Sequence, residues 1–421
     1  MPTRRGRATL AAALACFFLG RALGVPELYA VALAGVFVVA LASLSVRWAR
    51  YRLAFSRRIR PGRAFPDDTV RVELSVRNVG RISSPPLLVE DTLPDALGGP
   101  SRWVVDSLAP ETVRALTVDR LALTRGKYKV GPLRVRLVDP FGLAELTTQN
   151  KREDLLVVYP RIEMLGRGAP PSQRMGSGPA KVMRLSPEGD EFYAIREYED
   201  GDDLRKIHWN SVARTGQLMI RQEEARLHPR ATLLLDTRTE AHRGSGPHSS
   251  FEWAVSACAS MTWHLGRAGH ALRLATDVGG PGAPRAGKPA VEGILELLAA
   301  VGPGRRGTLL PAIKRLGTKP GAGGAIIAVL PPPPPEELAA LGRLRSAYGW
   351  CGAILMDSDS FVGVSPRVRA LADQRAAAAE TALVRAGWRV RVAGSNDRIG
   401  DAWTGLIAAP GSRRRSASSP S

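Results

Sequence analysis

Between Ile195 and Arg221 the chain reads IREYEDGDDLRKIHWNSVARTGQLMIR. Acids (Glu197, Glu199, Asp200, Asp202, Asp203), bases (Arg196, Arg205, Lys206, Arg214) and the pair His208-Trp209 crowd together there, and no other stretch is so dense in polar groups that need partners. Three chemistries are open to such a set. The charges could form a solvated face or an ion-pair lattice that braces two domains. They could form a recognition surface, with Arg205 and Arg214 offering forked donors to an acidic partner. They could form a catalytic constellation, with His208 as general base beside Glu197 and Asp202, which would need a cleft and a shifted pKa.

The elements that must position these groups follow from the spacing. Gly201 supplies a tight turn between two acidic clusters. Asp202 suits an N-cap, and the charge of Asp203 meets the positive end of a helix dipole. Leu204, Ile207, His208 and Val212 share one helical face. Thr215-Gly216 reads as the stop, and the alternation from Leu218 to Glu223 reads as a strand. The expectation is turn, short helix, turn, strand.

This stretch resembles the signature of the domain-of-unknown-function 58 family, R-E-Y-x-x-G-D-x-x-R-x-I-x-W-x-x-x-A-R. The matching residues are Arg196, Glu197, Tyr198, Gly201, Asp202, Arg205, Ile207, Trp209, Ala213 and Arg214. A second run, TRGKYKVGPLRVRLVDPFGLAEL at 124–146, is similar to the family's R-G-x-Y…G-P…D-P-F-G-L pattern. The resemblance implies a membrane-anchored chain whose C-terminal half is a von Willebrand factor A-like α/β domain. It also implies a link with a MoxR-type AAA+ ATPase, often with a transglutaminase-like membrane protein, in a cell-envelope or assembly role. On that reading Arg196, Glu197, Tyr198, Gly201, Asp202, Arg205, His208, Trp209 and Arg214 make or brace the partner surface.

Von Willebrand A domains often hold Mg²⁺ through D-x-S-x-S after the first strand, a hard cation met by carboxylate, hydroxyl and water oxygens. Here the loop is Asp236-Thr237-Arg238-Thr239-Glu240. Asp236 is in place, but the hydroxyls are one position out of step and Arg238 would repel a cation. The expected arrangement is a strand-end Asp236 that caps or pairs with Arg238. No cofactor is expected, Mg²⁺ is disfavoured, and Asp236 is the lone metal candidate. Gly282 to Lys288 nearly spells a phosphate-binding loop, but Pro289 replaces the Ser or Thr that would hold Mg²⁺, and no helix is expected to open at Lys288. The histidines (208, 228, 242, 248, 264, 270) form no HExxH, and Cys16, Cys258 and Cys351 have no metal-type spacing. Without a disulfide framework a reducing compartment fits. There is no G-x-S-x-G elbow.

The formal charge of +20 would suit nucleic acid or an anionic membrane. Most of it is arginine scattered along the chain. Clusters occur at Arg4, Arg5 and Arg7 and from Arg47 to Arg63, both flanking apolar segments, which favours a membrane over nucleic acid. Helices of about 8–24 and 28–46 are long enough to cross a bilayer at about 1.5 Å per residue, with Gly24-Val25-Pro26 as the turn. Arginines at the outer ends of both put the two termini in the cytoplasm of a two-helix cell-membrane protein.

The expected organisation is a transmembrane hairpin at 1–50 and a basic juxtamembrane segment at 51–63. An all-β, Ig-like sandwich follows at 64–160, with TVRVELSVR (69–77) as its clearest strand. Asp139-Pro140-Phe141-Gly142 reads as a turn with a buried aromatic. A Gly/Pro/Ser/Arg-rich linker spans 161–187. The signature and a doubly wound α/β domain occupy 188–409, with strands at 231–235, 271–275, 325–330, 353–356 and 388–392 alternating with helices. A disordered basic tail fills 410–421.

The function expected from this reading is a cytoplasmic-facing protein-interaction module that performs no reaction. The alternatives are an enzyme using Glu197, Asp202 and His208, and nucleic-acid binding through the basic charge, which lacks the usual basic stripe interleaved with aromatics.

Overall fold

The computed structural model describes residues 1–50, 53–170, 193–198, 204, 207–223, 229–277, 282–304, 307–318 and 324–408. Most of the expected linker, the 410–421 tail, and Gly201, Asp202 and Arg205 of the signature lie outside the described residues. The chain divides into two compact units, Met1–Arg161 with Leu295–Val301, and the remainder.

The first unit opens with helices α1 (Arg4–Leu23) and α2 (Glu27–Arg50), both long and apolar enough to cross a membrane. Gly24 ends α1 at φ 68°, a left-handed conformation that costs glycine nothing. Both helices outrun the apolar limits read from the sequence, because backbone hydrogen bonding continues into the basic flanks. Small residues let them approach: a Cβ on Gly35 would lie 3.1 Å from that of Ala13. Ala13, Ala32 and Val39 are buried, and Phe17 meets Tyr29 edge-on at 5.4 Å. Leu14, Phe18, Leu33 and Phe37 face outward.

Strands β1 (Leu53–Arg60), β2 (Arg63–Ala64), β3 (Thr69–Asn78), β4 (Leu87–Asp91), β5 (Ser101–Val105), β6 (Val113–Leu121), β7 (Gly126–Val130), β8 (Leu133–Val138), β9 (Glu145–Asn150) and β10 (Asp154–Val158) follow. They form sheets ordered β1-β3-β6, β2-β10-β7 and β5-β4-β8-β9, antiparallel except where β2 meets β10. The alternation of TVRVELSVR buries Val70, Val72, Leu74 and Val76 on one face of β3. Arginines on outer faces meet acids, Arg71 with Asp119 at 2.7 Å, Arg77 with Glu111 at 2.7 Å and Arg102 with Glu90 at 2.8 Å. Much of the apparent basic excess here is therefore locally neutralised.

Two sequence expectations need correction in this unit. Residues 51–63 were read as a basic juxtamembrane segment, yet Leu53–Arg60 is already a strand. Its half-buried Leu53, Phe55, Arg57 and Ile59 alternate with exposed residues, and the run of arginines hid that period. Phe141 was read as the buried aromatic of its turn, but it is 73% exposed. The end of α2 also joins the β region, with Ala42 and Val46 buried in the cluster that holds Leu74, Leu87 and Val135.

The second unit begins with β11 (Tyr193–Glu197), α3 (Trp209–Thr215) and β12 (Met219–Glu223), the strands pairing antiparallel. An alternating region follows: β13 (Arg230–Leu235), α4 (Ser250–Arg267), β14 (Ala271–Thr276), α5 (Lys288–Ala300), α6 (Leu310–Thr318), β15 (Ala325–Leu330), α7 (Pro335–Arg343), β16 (Trp350–Met356), α8 (Pro366–Arg385), β17 (Arg389–Ala393) and α9 (Ile399–Ile407). The five strands from β13 on form a parallel sheet ordered β14-β13-β15-β16-β17. The central runs ATLLL, AIIAVL and WCGAILM are buried throughout, as a sheet covered on both faces requires.

A helix does open at Lys288, against expectation. The loop before it is still no phosphate cradle. Arg285 exchanges both backbone hydrogen bonds with Leu272, at 2.7 and 3.0 Å, so those amides serve the edge of β14.

Candidate functional site

In a parallel α/β sheet, ligands collect at the carboxyl ends of the strands, where the strand order reverses. Here it reverses between β13, the second strand in sheet order, and β15. Asp236, the residue that follows β13, is fully buried. Two residues on, the Arg238 guanidinium folds back. Its Nε donates to Asp236 Oδ1 at 3.0 Å and its Nη2 to Asp236 Oδ2 at 2.8 Å. The same fork reaches Glu337 in the first turn of α7, Nη1 to Oε1 at 2.9 Å and Nη2 to Oε2 at 3.1 Å, and Nη1 also donates to the Gly307 carbonyl at 3.0 Å. These contacts employ all five N–H donors of the guanidinium. Burial pulls the Arg238 pKa down, but the two carboxylates more than reverse this and hold it above the ordinary arginine value.

Glu337 is shared further. Its Oε1 accepts from Thr308 Oγ1 and from the Leu309 backbone, each at 2.8 Å, which fixes the entry to α6. The neighbouring loop is stapled likewise: Thr237 Oγ1 donates to Asp277 after β14, and the Gly304 amide donates to the Thr237 carbonyl at 2.5 Å. The pair that the sequence suggested, Asp236 with Arg238, forms. The guanidinium lies where the carboxylates of Asp236 and Glu337 converge, so a divalent cation would have to displace it, and this donor set does not fit a Mg²⁺ ion.

Beside this network is a cleft of about 380 Å³, bounded by Arg238, Arg243, Pro332, Asp357, Asp359 and Arg375. It sits at the ends of β13, β15 and β16. Most of its charges have internal partners: Arg243 lies 3.3 Å from Asp359, and Asp357 lies 2.6 Å from Arg369 of α8. His242, just behind, donates from Nε2 to the Asp236 carbonyl at 2.8 Å, which leaves Nδ1 to accept from Ser250 Oγ at 3.3 Å.

That tautomer is neutral, and burial lowers the His242 pKa below its ordinary 6.5, as burial does for His270. A histidine held neutral by the fold stabilises it fully above its unfolded pKa, and the contribution shrinks as pH falls below that value. The denaturation midpoint is therefore expected to drop between about pH 7.5 and pH 5.5. His242→Asn should flatten part of that drop; an unchanged slope in the variant would show that His242 carries none of it.

The described signature residues lie on β11 or just after it, and on α3 or just before it, and none of them lines the cleft. Trp209 opens α3 and is 67% exposed, and Arg214 near its end is exposed. Gly216 ends α3 at φ 70°, its amide donating to the Val212 carbonyl at 2.9 Å. The helix starts later than the spacing predicts. Ile207 stands in an isolated bridge and the His208 amide donates to the Met219 carbonyl at 2.9 Å, so strand-like pairing claims these two residues. The Tyr198 amide donates to the Leu218 carbonyl at 2.8 Å, closing the hairpin. His208 Nδ1 lies 2.9 Å from Ser211 Oγ, and His208 is not part of the cleft. Arg196 and Glu197 lie in β11. Because Gly201, Asp202 and Arg205 are outside the described residues, the structure carries no geometry for a Glu197–Asp202–His208 constellation.

A family model described as "Protein of unknown function DUF58" matches residues 194–327, from within β11 to within β15. The match takes in the signature hairpin and the Asp236–Arg238 turn together. Residues 194–327 are thus similar to the DUF58 family. The uncharacterized protein YeaD of Bacillus subtilis (strain 168) is 25% identical to this chain over 202 residues, covering 45% of this chain and 47% of its own length. This chain thus spans about half the length of that relative. Among solved structures, the CARDB domain of a Pyrococcus furiosus protein covers 25% of the chain and 86% of itself at 21% identity and a TM-score of 0.20. The C-terminal domain of wzt covers 27% of the chain and 78% of itself at 11% identity and a TM-score of 0.21. Glu337, the second carboxylate on Arg238, lies beyond the DUF58 match. Sequence reasoning missed it, since Glu336-Glu337 after five prolines reads as ordinary first-turn acids.

Proposed function

We propose that this protein is a membrane-anchored interaction module that performs no reaction and needs no metal. Helices α1 and α2 would cross the cell membrane with both termini cytoplasmic. They would hold an Ig-like β region and a von Willebrand A-like α/β region in the cytoplasm. The partner implied by the signature is a MoxR-type AAA+ ATPase, with a transglutaminase-like membrane protein as a further member of the assembly. One contrast supports this reading most. The charges at the strand ends are engaged with one another, whereas Trp209 and Arg214 of the signature are open to solvent. Tryptophan and arginine are the residue types enriched in protein-binding hot spots.

Two measurements test it. Trp209→Ala combined with Arg214→Glu should weaken binding of the purified ATPase to the full-length protein by about tenfold or more; full-strength binding by the folded variant would remove the surface assignment. A saturating ligand that binds only the folded state raises stability by about 2.7 kcal/mol at a hundred times its Kd. Mg²⁺ should therefore leave the denaturation midpoint unmoved, and a rise that depends on its concentration would restore the metal-site reading of Asp236.

A further inference from the structure

We propose that the Asp139–Leu143 turn is a lipid-contacting foot of the β region, with Phe141 entering the headgroup layer and Arg4, Arg5 and Arg7 meeting anionic headgroups. The inference rests on the reading that α1 and α2 cross the membrane.

The turn is rigid and closed on itself. Asp139 Oδ2 accepts from the Phe141 amide at 2.9 Å, Asp139 Oδ1 accepts from the Ala144 amide, and the Gly142 amide donates to the Asp139 carbonyl at 2.9 Å. Yet the turn presents a phenylalanine that is 73% exposed, at a place where the sequence pattern predicts burial.

The turn is also clamped to the start of α1. The Thr3 amide donates to the Leu143 carbonyl at 2.9 Å and Thr3 Oγ1 donates to the Gly142 carbonyl at 2.5 Å. Gly6 makes the approach possible, because a Cβ there would lie 2.0 Å from the Leu143 oxygen. The Arg5 side chain runs alongside, 3.8 Å from where a Gly142 Cβ would be. Phe141 is therefore held beside the first turn of α1, where Arg4, Arg5 and Arg7 are exposed. At a rise of about 1.5 Å per residue this is within one helical turn of the apolar run that starts at Ala8. The hairpin returns α2 to the same end, where Arg47 and Trp48 are exposed. Aromatic tips and arginines at that depth suit the interface of an anionic leaflet. The acids nearby do not oppose this: Asp139 is buried and capped within the turn, and Glu145 pairs with Arg136.

The test uses the full chain with Cys16→Ser, which leaves only the buried Cys258 and Cys351. Phe141→Cys or Leu33→Cys is labelled with an environment-sensitive fluorophore. Each is reconstituted in vesicles of phosphatidylcholine alone, or of two parts phosphatidylcholine to one part phosphatidylglycerol. The label at 141 should emit to the blue of its aqueous position and be quenched by headgroup-level spin label, more so with phosphatidylglycerol. Changing Arg4, Arg5 and Arg7 together to Gln should abolish that increment. The label at 33 should be quenched by deep spin label in every case. A deep label at 33 with an aqueous one at 141 would overturn the foot while leaving the membrane helices standing. An aqueous label at 33 would remove the membrane reading and the foot with it. A label at 141 shielded equally in lipid-free polymer-solubilised protein would mean that a protein surface covers the turn, and would also overturn the proposal.

Discussion

Replacing Arg238 with methionine is expected to cost about 3–5 kcal/mol of folding free energy, the range for removing one partner of a buried ion pair. The side chain of Arg238 is 8% exposed, those of Asp236 and Glu337 0% and 1%. Without the guanidinium, two carboxylates would face each other at the carboxyl end of β13 with no cation between them. Much of the cost is therefore the penalty of stranded charge, not the net worth of the contacts. Two results should follow. Arg238→Met combined with Asp236→Asn and Glu337→Gln should recover a large part of the loss, since a neutral set no longer strands charge. Glu337→Gln and Arg238→Met should be strongly non-additive, because they remove the same interaction. Chemical denaturation of the full-length protein reads all of these. A midpoint for Arg238→Met close to that of the unaltered protein would show that the network does not hold the strand ends together.

Arg57→Ala is expected to cost a similar amount, about 3–5 kcal/mol, at a site that the sequence places in a basic juxtamembrane segment. The Arg57 side chain is 5% exposed. Its Nε donates to Asp91 Oδ2 at 3.0 Å, and its Nη1 donates to the Val130 carbonyl at 2.9 Å and to Asp154 Oδ2 at 3.1 Å. One side chain thus ties β1 to β4, β7 and β10. Burial raises the Asp91 pKa even with Arg57 beside it. Once Arg57 is removed, the buried carboxylate gains stability by taking up a proton, so the deficit should narrow as pH falls toward the carboxylate range. A purely lipid-binding Arg57 would behave differently: its loss would leave the denaturation midpoint alone and reduce only retention on anionic vesicles.

These two arginines show where sequence reading succeeds and where it stops. The α/β region was legible because AIIAVL and ATLLL are apolar runs of strand length between helical patterns. The N-terminal helices were legible because nineteen residues from Leu28 carry no charge. Arg57 was misplaced because composition gives the number of arginines in a stretch, not the face each one takes. Glu337 was invisible because it is 99 residues from Arg238, and nothing local marks an acid whose partner is so remote. Helix α9 was not read at all, although Trp403 within it is fully buried. The start of α3 was misjudged because pairing with β12 overrides helical spacing at His208. In each case a long-range contact decides the outcome, and single-residue patterns do not report it.

The seam between Gly6 and Leu143 also has a bearing on how the protein is made. Its two sides are 137 residues apart, so the hairpin is synthesised and can enter a bilayer well before the segment that grips it exists. The grip then closes only if the first turn of α1 emerges on the side where the β region folds. Two spans leave Thr3 and the β region on one face whichever way the hairpin inserts, whereas an α1 that failed to cross would leave Thr3 and Gly142 on opposite faces, and the finished chain would be without its anchorage. On the reading that α1 and α2 cross a membrane, insertion of both is in this way tied to the packing of the domain that follows.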